Sequence, residues 1–280
     1  MTLPLRIDAI LDDAARRLES VSDSARLDAE LLLARAIDMP RSYLFAHPED
    51  ELDELAAERF EQALGRRLDG EPMAYITGTR EFWSLELMVT PATLVPRPET
   101  ELLVDLALRE IPRGADWQVL DLGTGSGAIA LVIARERSLC RLAATDISAD
   151  ALAVAEQNAR QLEIPDIEFL AGDWTEPVAG RTFNVIVSNP PYVCAGDTAL
   201  DALRREPQAA LVAGDDGLDA IRILARDCGS LLAPEGVLLI EHGAEQQDAI
   251  GTLLHEHGWS GITCHKDHGG LPRVTVARRD

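Results

Sequence analysis

"VLDLGTGSGAIALVIARER", residues 119–137, opens on a short apolar run, passes through glycines at three alternate positions and continues at once into a long apolar pattern. An apolar run closed by a glycine cluster reads as a buried strand, and "SGAIALVIARER" reads as the helix that follows it. Backbone that approaches a ligand closely needs glycine, because a Cβ would clash. Gly123, Gly125 and Gly127 therefore form a candidate ligand turn at the end of a strand. The turn alone does not name its ligand, since dinucleotide sites use a similar G-x-G-x-x-G and Ala128 satisfies its last position.

The same alternation runs outward from this stretch. "CRLAATD" is a strand and "SADALAVAEQNARQL" a helix opened by a Ser148 cap. "IEFLAGD" and "FNVIVSN" are strands, "DGLDAIRILARDCGSLL" a helix, "GVLLIEHG" a strand and "AEQQDAIGTLLHEHG" a helix. Strands alternating with helices predict an α/β fold with a doubly wound, mostly parallel sheet. The closing "GITCHKDHGGLPRVTVARR" reads as two strands around a glycine-rich turn, so one edge is expected to run antiparallel.

Upstream the texture is helical. Ile7, Ile10, Leu11, Ala14 and Leu18 share one helix face, Leu27, Leu31, Leu32 and Ile37 a second, and Leu52, Leu55, Phe60 and Leu64 a third. Next, Pro72 starts a short helix, Gly78 turns the chain, and "EFWSLELMV" reads as a β-hairpin in which Trp83 packs. "PETELLVDLALREI" is a helix with Pro98 in its first turn and Glu99 and Glu101 near its positive end. The expected organisation is a small helical domain over 1–76, a hairpin linker over 77–96 and an α/β domain over 97–280.

Composition narrows the function. The 280 residues are 46% hydrophobic, ordinary for a globular protein, and hold no apolar run long enough for a membrane span. The first twenty residues mix acids and bases where a signal peptide would be apolar, so a cytoplasmic protein is expected. Cys140, Cys194, Cys228 and Cys264 lie far apart without a C-x-x-C pair, which suggests neither a disulfide framework nor a zinc knuckle. With 26 basic against 48 acidic residues the net charge is −22, a surface that repels phosphate backbones and favours a protein or small-molecule partner over nucleic acid.

The other strand ends decide the ligand. Asp146 closes the second strand about twenty residues beyond the glycines, where an acidic side chain accepts both hydroxyls of a ribose. It suits NAD or S-adenosylmethionine equally. The third strand ends in "AGDW", placing Asp173 for an adenine amino group and Trp174 for its ring. For both aspartates the plainer role is a helix cap or a turn. The fourth strand ends in Asn189. Ligands of open α/β sheets lie beyond the carboxyl ends of the strands, so these groups converge on one crevice, read as an S-adenosylmethionine site with Asn189 facing the methyl.

The fourth strand continues as "VIVSNPPYVC", residues 185–194. Two successive prolines withhold two backbone donors and stiffen the residue before them. The Asn189 side-chain carbonyl and the Pro190 backbone carbonyl can then each accept one N–H of a substrate NH₂, with Tyr192 packed against the planar group. In this the chain resembles the methyltransferases marked by Asn-Pro-Pro-Tyr, and the resemblance implies a nitrogen whose lone pair is delocalised: adenine N6, guanine N2 or a glutamine amide. Positioned acceptors replace a strong base, since the proton leaves only after transfer.

Here the chain resembles a known family. The segments "GEPMAYITGTREF", "VPRPETE", "DLGTGSGAIA", "SNPPY" and "EHG" are similar to those of the release factor glutamine methyltransferases, over nearly the whole chain. The resemblance implies a class I, Rossmann-like, S-adenosylmethionine-dependent methyltransferase domain behind an N-terminal helical domain and a hairpin. The implied reaction is methylation of the glutamine amide nitrogen N5 in the Gly-Gly-Gln motif of class 1 peptide chain release factors, leaving S-adenosylhomocysteine. It also implies cofactor contacts from Gly123, Thr124, Gly125, Ser126, Gly127, Asp146, Asp173, Trp174 and Asn189. Substrate contacts fall to Asn189, Pro190, Pro191 and Tyr192, with Asn189, Pro190 and Tyr192 carrying the chemistry. "LVPRPETE" would lie at the pocket mouth, ordered by Arg97 and Glu99, or these two would serve as a helix start and its ion pair. The helical domain would recognise the release factor, and a monomer without bound nucleic acid is expected.

The alternative is a nucleic-acid N6-adenine or N2-guanine methyltransferase, which predicts a basic face that this composition does not offer. His255, His257, Cys264, His265 and His268 invite a metal site, but their spacing matches no common zinc pattern and no metal is expected. Glu241 and His242 end the fifth strand on the crevice side, where a loop-ordering role is expected rather than a catalytic one.

Overall fold

The computed structural model describes residues 6–164 and 166–279, and the chain divides after Thr79 into two units. The first holds α1 (Ile7–Leu18), α2 (Ala25–Ala36), α3 (Arg41–Ala46), α4 (Glu54–Leu68) and α5 (Met73–Thr77). α1 buries the five residues its spacing predicts. α2 follows its spacing only in part: Leu32 is buried as expected, but Leu27 and Leu31 are exposed, and the buried stripe consists of Ala29, Leu32, Leu33 and Ala36. These four stand at i, i+3, i+4 and i+7, so the buried stripe is turned around the helix from the expected one.

Charge pairing allows this. Asp28 and Glu30 are drawn in beside the stripe, and buried carboxylates are tolerated when paired. Arg67 Nε donates to Asp28 at 2.8 Å, joined by the Ser22 and Ser24 hydroxyls, while Arg26 and Arg41 flank Glu30. On α4, Phe60 and Leu64 are buried as expected but Leu55 is exposed. Asp53 caps this helix, accepting from Ala56 N–H at 2.7 Å.

The second unit opens on the hairpin of β1 (Thr79–Phe82) and β2 (Leu85–Met88). Its turn residues, Trp83 and Ser84, both have positive φ (51° and 58°), as two-residue hairpin turns require but as Asn and Gly normally supply. The Trp83 N–H donates to Glu101 Oε1 at 3.0 Å and its side chain packs on the core, which holds the turn in place. α6 (Thr100–Glu110) begins after Pro98 rather than around it. Then come β3 (Gln118–Leu122), α7 (Ala128–Glu136), β4 (Arg141–Asp146), α8 (Ala149–Gln161), β5 (Ile167–Ala171), β6 (Phe183–Ser188), the short α9 (Ala199–Ala202), α10 (Asp219–Asp227), β7 (Leu232–Glu241), α11 (Gln247–Glu256), β8 (Ser260–Lys266) and β9 (Pro272–Arg278). Ser148 caps α8, accepting from Ala151 N–H at 3.1 Å.

The sheet runs in the order β5-β4-β3-β6-β7-β9-β8. β3 to β7 are parallel, and β9 is antiparallel to both β7 and β8. Alternate residues feed two cores. Val119, Val185, Val187 and Leu239 meet α6 and α7 on one face, and Leu120, Leu122, Ile186, Leu238 and Ile240 meet α10 and α11 on the other. Both faces are covered, which is why these strands read as continuous apolar runs. Winding reverses between β3 and β6, and the crevice of the fold opens beyond their carboxyl ends.

Candidate active site

The chain leaves β3 through Gly123, Gly125 and Gly127, with φ of 73°, 57° and 84°. Residues with side chains avoid this region, but the glycines serve different ends. A Cβ on Gly127 would stand 3.1 Å from both Ala155 and Leu131, so this glycine lets α7 start against α8. A Cβ on Gly125 would meet no protein atom within 4 Å, and Gly125 lines a cavity of about 500 Å³. The missing side chain leaves that room for a ligand, and the volume is in the range of small-molecule sites.

Asp146 pins the loop from the neighbouring strand. Its Oδ2 accepts from Gly125 N–H and its Oδ1 from Ser148 N–H, both at 2.9 Å. Beneath, Thr124 Oγ1 donates to Asp121 Oδ2 at 2.6 Å, while Asp121 Oδ1 has no hydrogen-bond partner among the described residues. Burial pushes the Asp121 carboxyl up to about 7, helped by the charge of Asp146 and opposed by the Thr124 hydroxyl and the Ala130 backbone. At the end of β5 Trp174 sits at φ 43° and its ring lies over Gly123, 3.6 Å from where a Cβ would be. A bulky residue in this conformation must be held there, and Thr145 Oγ1 donates to its carbonyl at 3.0 Å. The cavity lining carries the carboxylates of Asp146, Asp173 and Asp219 against the single guanidinium of Arg97. Such a lining fits a cationic ligand, a sulfonium for instance, better than a diphosphate.

β6 reaches the same cavity. Ser188 Oγ, fully buried, donates to Leu122 O at 2.8 Å and ties the ends of β6 and β3 together. Asn189 follows on the cavity wall. Its Nδ2 donates to Thr100 Oγ1 at 3.1 Å, and its oxygen takes no hydrogen bond from the described residues. Of the sequence-predicted residues, Gly123, Thr124, Gly125, Ser126, Asp146, Asp173, Trp174, Asn189 and Pro191 line the cavity; Gly127, Pro190 and Tyr192 do not. The Tyr192 carbonyl accepts from Gln246 Nε2 at 3.0 Å, and burial raises its phenol above the usual value. Gln246 also donates to Gly217 O at 3.2 Å and accepts from Gly243 N–H at 2.9 Å.

The segments 92–97 and 207–214 complete the walls. Arg97 does not pair with Glu99. Its partner is Glu206, almost fully buried, which accepts from Arg97 at 2.5 Å and from Val95 N–H at 3.1 Å. Behind the glycine loop Asn158, also buried, accepts from Met88 N–H at 2.7 Å and donates to Met88 O and Ser126 O, joining β2 to the loop.

Two family models match the chain: the PrmC N-terminal domain over residues 9–78 and the methyltransferase small domain over residues 99–226. The release factor glutamine methyltransferase of Coxiella burnetii is 46% identical over 98% of this chain and 99% of its own length. That of Escherichia coli K12 is 42% identical over 96% of this chain and 97% of its own. The chain belongs to the release factor glutamine methyltransferase family. It is an S-adenosylmethionine-dependent methyltransferase with a class I fold. Among solved structures, a methyltransferase from Pyrococcus furiosus aligns with a TM-score of 0.55 at 19% identity, covering 78% of this chain and 98% of that one. The 16S rRNA N2 G1207 methyltransferase of T. thermophilus aligns with a TM-score of 0.53 at 20% identity, covering 72% of this chain and 50% of that one. At these identities the likeness is one of fold.

Sequence reasoning did not single out Thr100, Glu206, Gln246 or Asn158 in this methyltransferase. Thr100 sits inside "PETE", read only as a helix start, and the other three lie in polar stretches with no local pattern. Among the described residues no group of three or more His, Cys, Asp or Glu side chains is arranged to hold a metal ion. His242 is buried, and burial lowers its pKa; its Nδ1 lies 2.8 Å from Gly243 O and its Nε2 2.8 Å from Thr275 Oγ1.

Proposed function

We propose that this enzyme transfers the methyl group of S-adenosylmethionine to the side-chain nitrogen N5 of the glutamine in the Gly-Gly-Gln motif of class 1 peptide chain release factors. The observation that carries the reading is the Asn189 amide. It stands on the wall of the glycine-loop cavity with its N–H committed to Thr100 and its oxygen free.

In this reading Gly123 to Ser126, Asp146, Asp173 and Trp174 hold the cofactor, Asp146 through its ribose and Asp173 and Trp174 through its adenine, while Gly127 lets α7 start close behind the loop. When bound, the cofactor supplies an electrophilic methyl on a cationic sulfur. Asn189 Oδ1 and the Pro190 carbonyl accept the two N–H groups of the glutamine amide, with Pro191 and Tyr192 beside it. Those acceptors orient the nitrogen, favour its pyramidal form and stabilise the positive charge it gains, so no strong base is required. The Arg97–Glu206 pair orders the segment at the mouth. The helical unit serves to recognise the release factor, a protein substrate compatible with the net charge of −22. No helix among the described residues is long and apolar enough to cross a membrane. In this reading the enzyme works in the cytoplasm and as a monomer.

Incubation with labelled S-adenosylmethionine and either a release factor or RNA and DNA tests the reading. Label is expected on the release factor, in the tryptic peptide that contains Gly-Gly-Gln. Label confined to nucleic acid would overturn it in favour of base methylation.

A further inference from the structure

We infer that Glu241 and Thr100 are positioning residues that fix which way the Asn189 amide faces, so that its oxygen and not its nitrogen meets the substrate; this rests on the reading of Asn189 as the acceptor of the glutamine N–H. The two ends of an asparagine amide have nearly the same shape and opposite hydrogen-bonding character. Rotated by half a turn, Asn189 would present donors to the donors of the glutamine NH₂. Its orientation therefore has to be imposed by neighbours.

The neighbours have the required character. Asn189 Nδ2 donates to Thr100 Oγ1 at 3.1 Å. Glu241, at the end of β7 and 1% exposed, stands beside the Thr100 hydroxyl and the Asn189 amide, which both pull its pKa down, and its Oε2 has no partner among the described residues. An ionised carboxylate only accepts. It draws the Thr100 hydrogen toward itself, which leaves the Thr100 oxygen lone pairs to accept from Asn189, and it repels the Asn189 oxygen. Protonated, Glu241 has a hydrogen to give. Thr100 can then turn its own hydrogen toward Asn189, and the preference for one amide orientation is lost.

The charged surroundings hold this switch near neutrality. Burial pushes Glu241 up to about 7 and Glu99 adds to the rise, while Thr100, Arg273 on β9 and Asn189 pull it down. Tyr192 feels Glu241, Arg273, Arg97 and Glu99 together. His242, the next residue, has its pKa lowered by burial and both ring nitrogens engaged. Arg273 itself binds the His242 carbonyl at 3.2 Å and Asp267 at 3.4 Å.

The test is the single-turnover rate of methyl transfer to a release factor from about pH 6 to about pH 9, with cofactor affinity measured by calorimetry. The wild-type rate is expected to rise with pH through a limb near 7 as Glu241 ionises. Glu241→Gln should lose that limb and about 10-fold or more in rate. Thr100→Val should lose a similar factor and Thr100→Ser should restore the rate to within about 3-fold, with cofactor affinity unchanged throughout. Should Glu241→Gln fail to fold, the Thr100 pair and the wild-type profile decide. Thr100→Val acting at the wild-type rate while Asn189→Ala is inactive would overturn the positioning role and leave the reaction standing. Asn189→Ala acting at the wild-type rate would overturn the acceptor reading itself.

Discussion

The glycine loop at 123–127 and the Asn-Pro-Pro-Tyr loop at 189–192 leave adjacent parallel strands, yet they are built in different ways. The first is shaped by backbone: positive φ at each glycine, the Gly125 N–H tied to Asp146 and a gap where a Cβ would stand. The second is shaped by side chains from elsewhere in the sequence. Thr100 of α6 holds Asn189, and Gln246, just before α11, holds Tyr192. A site for an invariant cofactor can be written into one short loop. A site that must present a hydrogen-bond acceptor to a poor nucleophile needs support from several elements, because the loop's own prolines have no N–H with which to brace it.

The sharpest way to break this comparison is Asn189→Ala. It should lower methyl transfer by about 10²–10³-fold, the scale of removing one transition-state hydrogen-bonding group, while calorimetric affinity for S-adenosylmethionine changes little. The mirror experiment on the other loop is Asp146→Ala. Loss of a charged acceptor should weaken cofactor binding by about 10–100-fold, and an unchanged dissociation constant would remove Asp146 from the ribose role. Arg97→Ala leaves Glu206 buried without its cation. Denaturant unfolding should show a loss of about 2–3 kcal/mol, with a raised KM for the release factor as the 92–97 segment loosens.

A further effect, on stability and its pH dependence, concerns Asp121 under the glycine loop. Between its unfolded value near 3.8 and its folded value of about 7 the native carboxyl keeps a proton that the unfolded chain has released. Stability therefore falls as pH rises through that window and levels off above it. Asp121→Asn should remove this dependence, so its melting temperature should gain on the wild type between pH 4 and pH 7.

The sheet, its antiparallel edge and the crevice were legible because buried parallel strands leave continuous apolar runs and ligand turns leave glycines. Gly125 and Asn189 were legible for the same local reason. Leu27 and Leu31 were misread because apolar spacing alone cannot register that paired Asp28 and Glu30 turn α2 inward by a different face. Glu206 and Gln246 escaped notice since their partners lie far off in sequence: Glu206 meets Val95 and Arg97, and Gln246 meets Tyr192. Asn158 sits within a helix pattern that carries no trace of its partners on β2 and the glycine loop.

The account stands most directly on where the methyl group goes. Tandem mass spectrometry of a release factor methylated by this enzyme should place the added methyl on the side-chain nitrogen of the Gly-Gly-Gln glutamine, with about 10²–10³-fold less of it formed in the same time by Asn189→Ala. A methyl on another residue, or the same modified glutamine from Asn189→Ala at the wild-type rate, would contradict it.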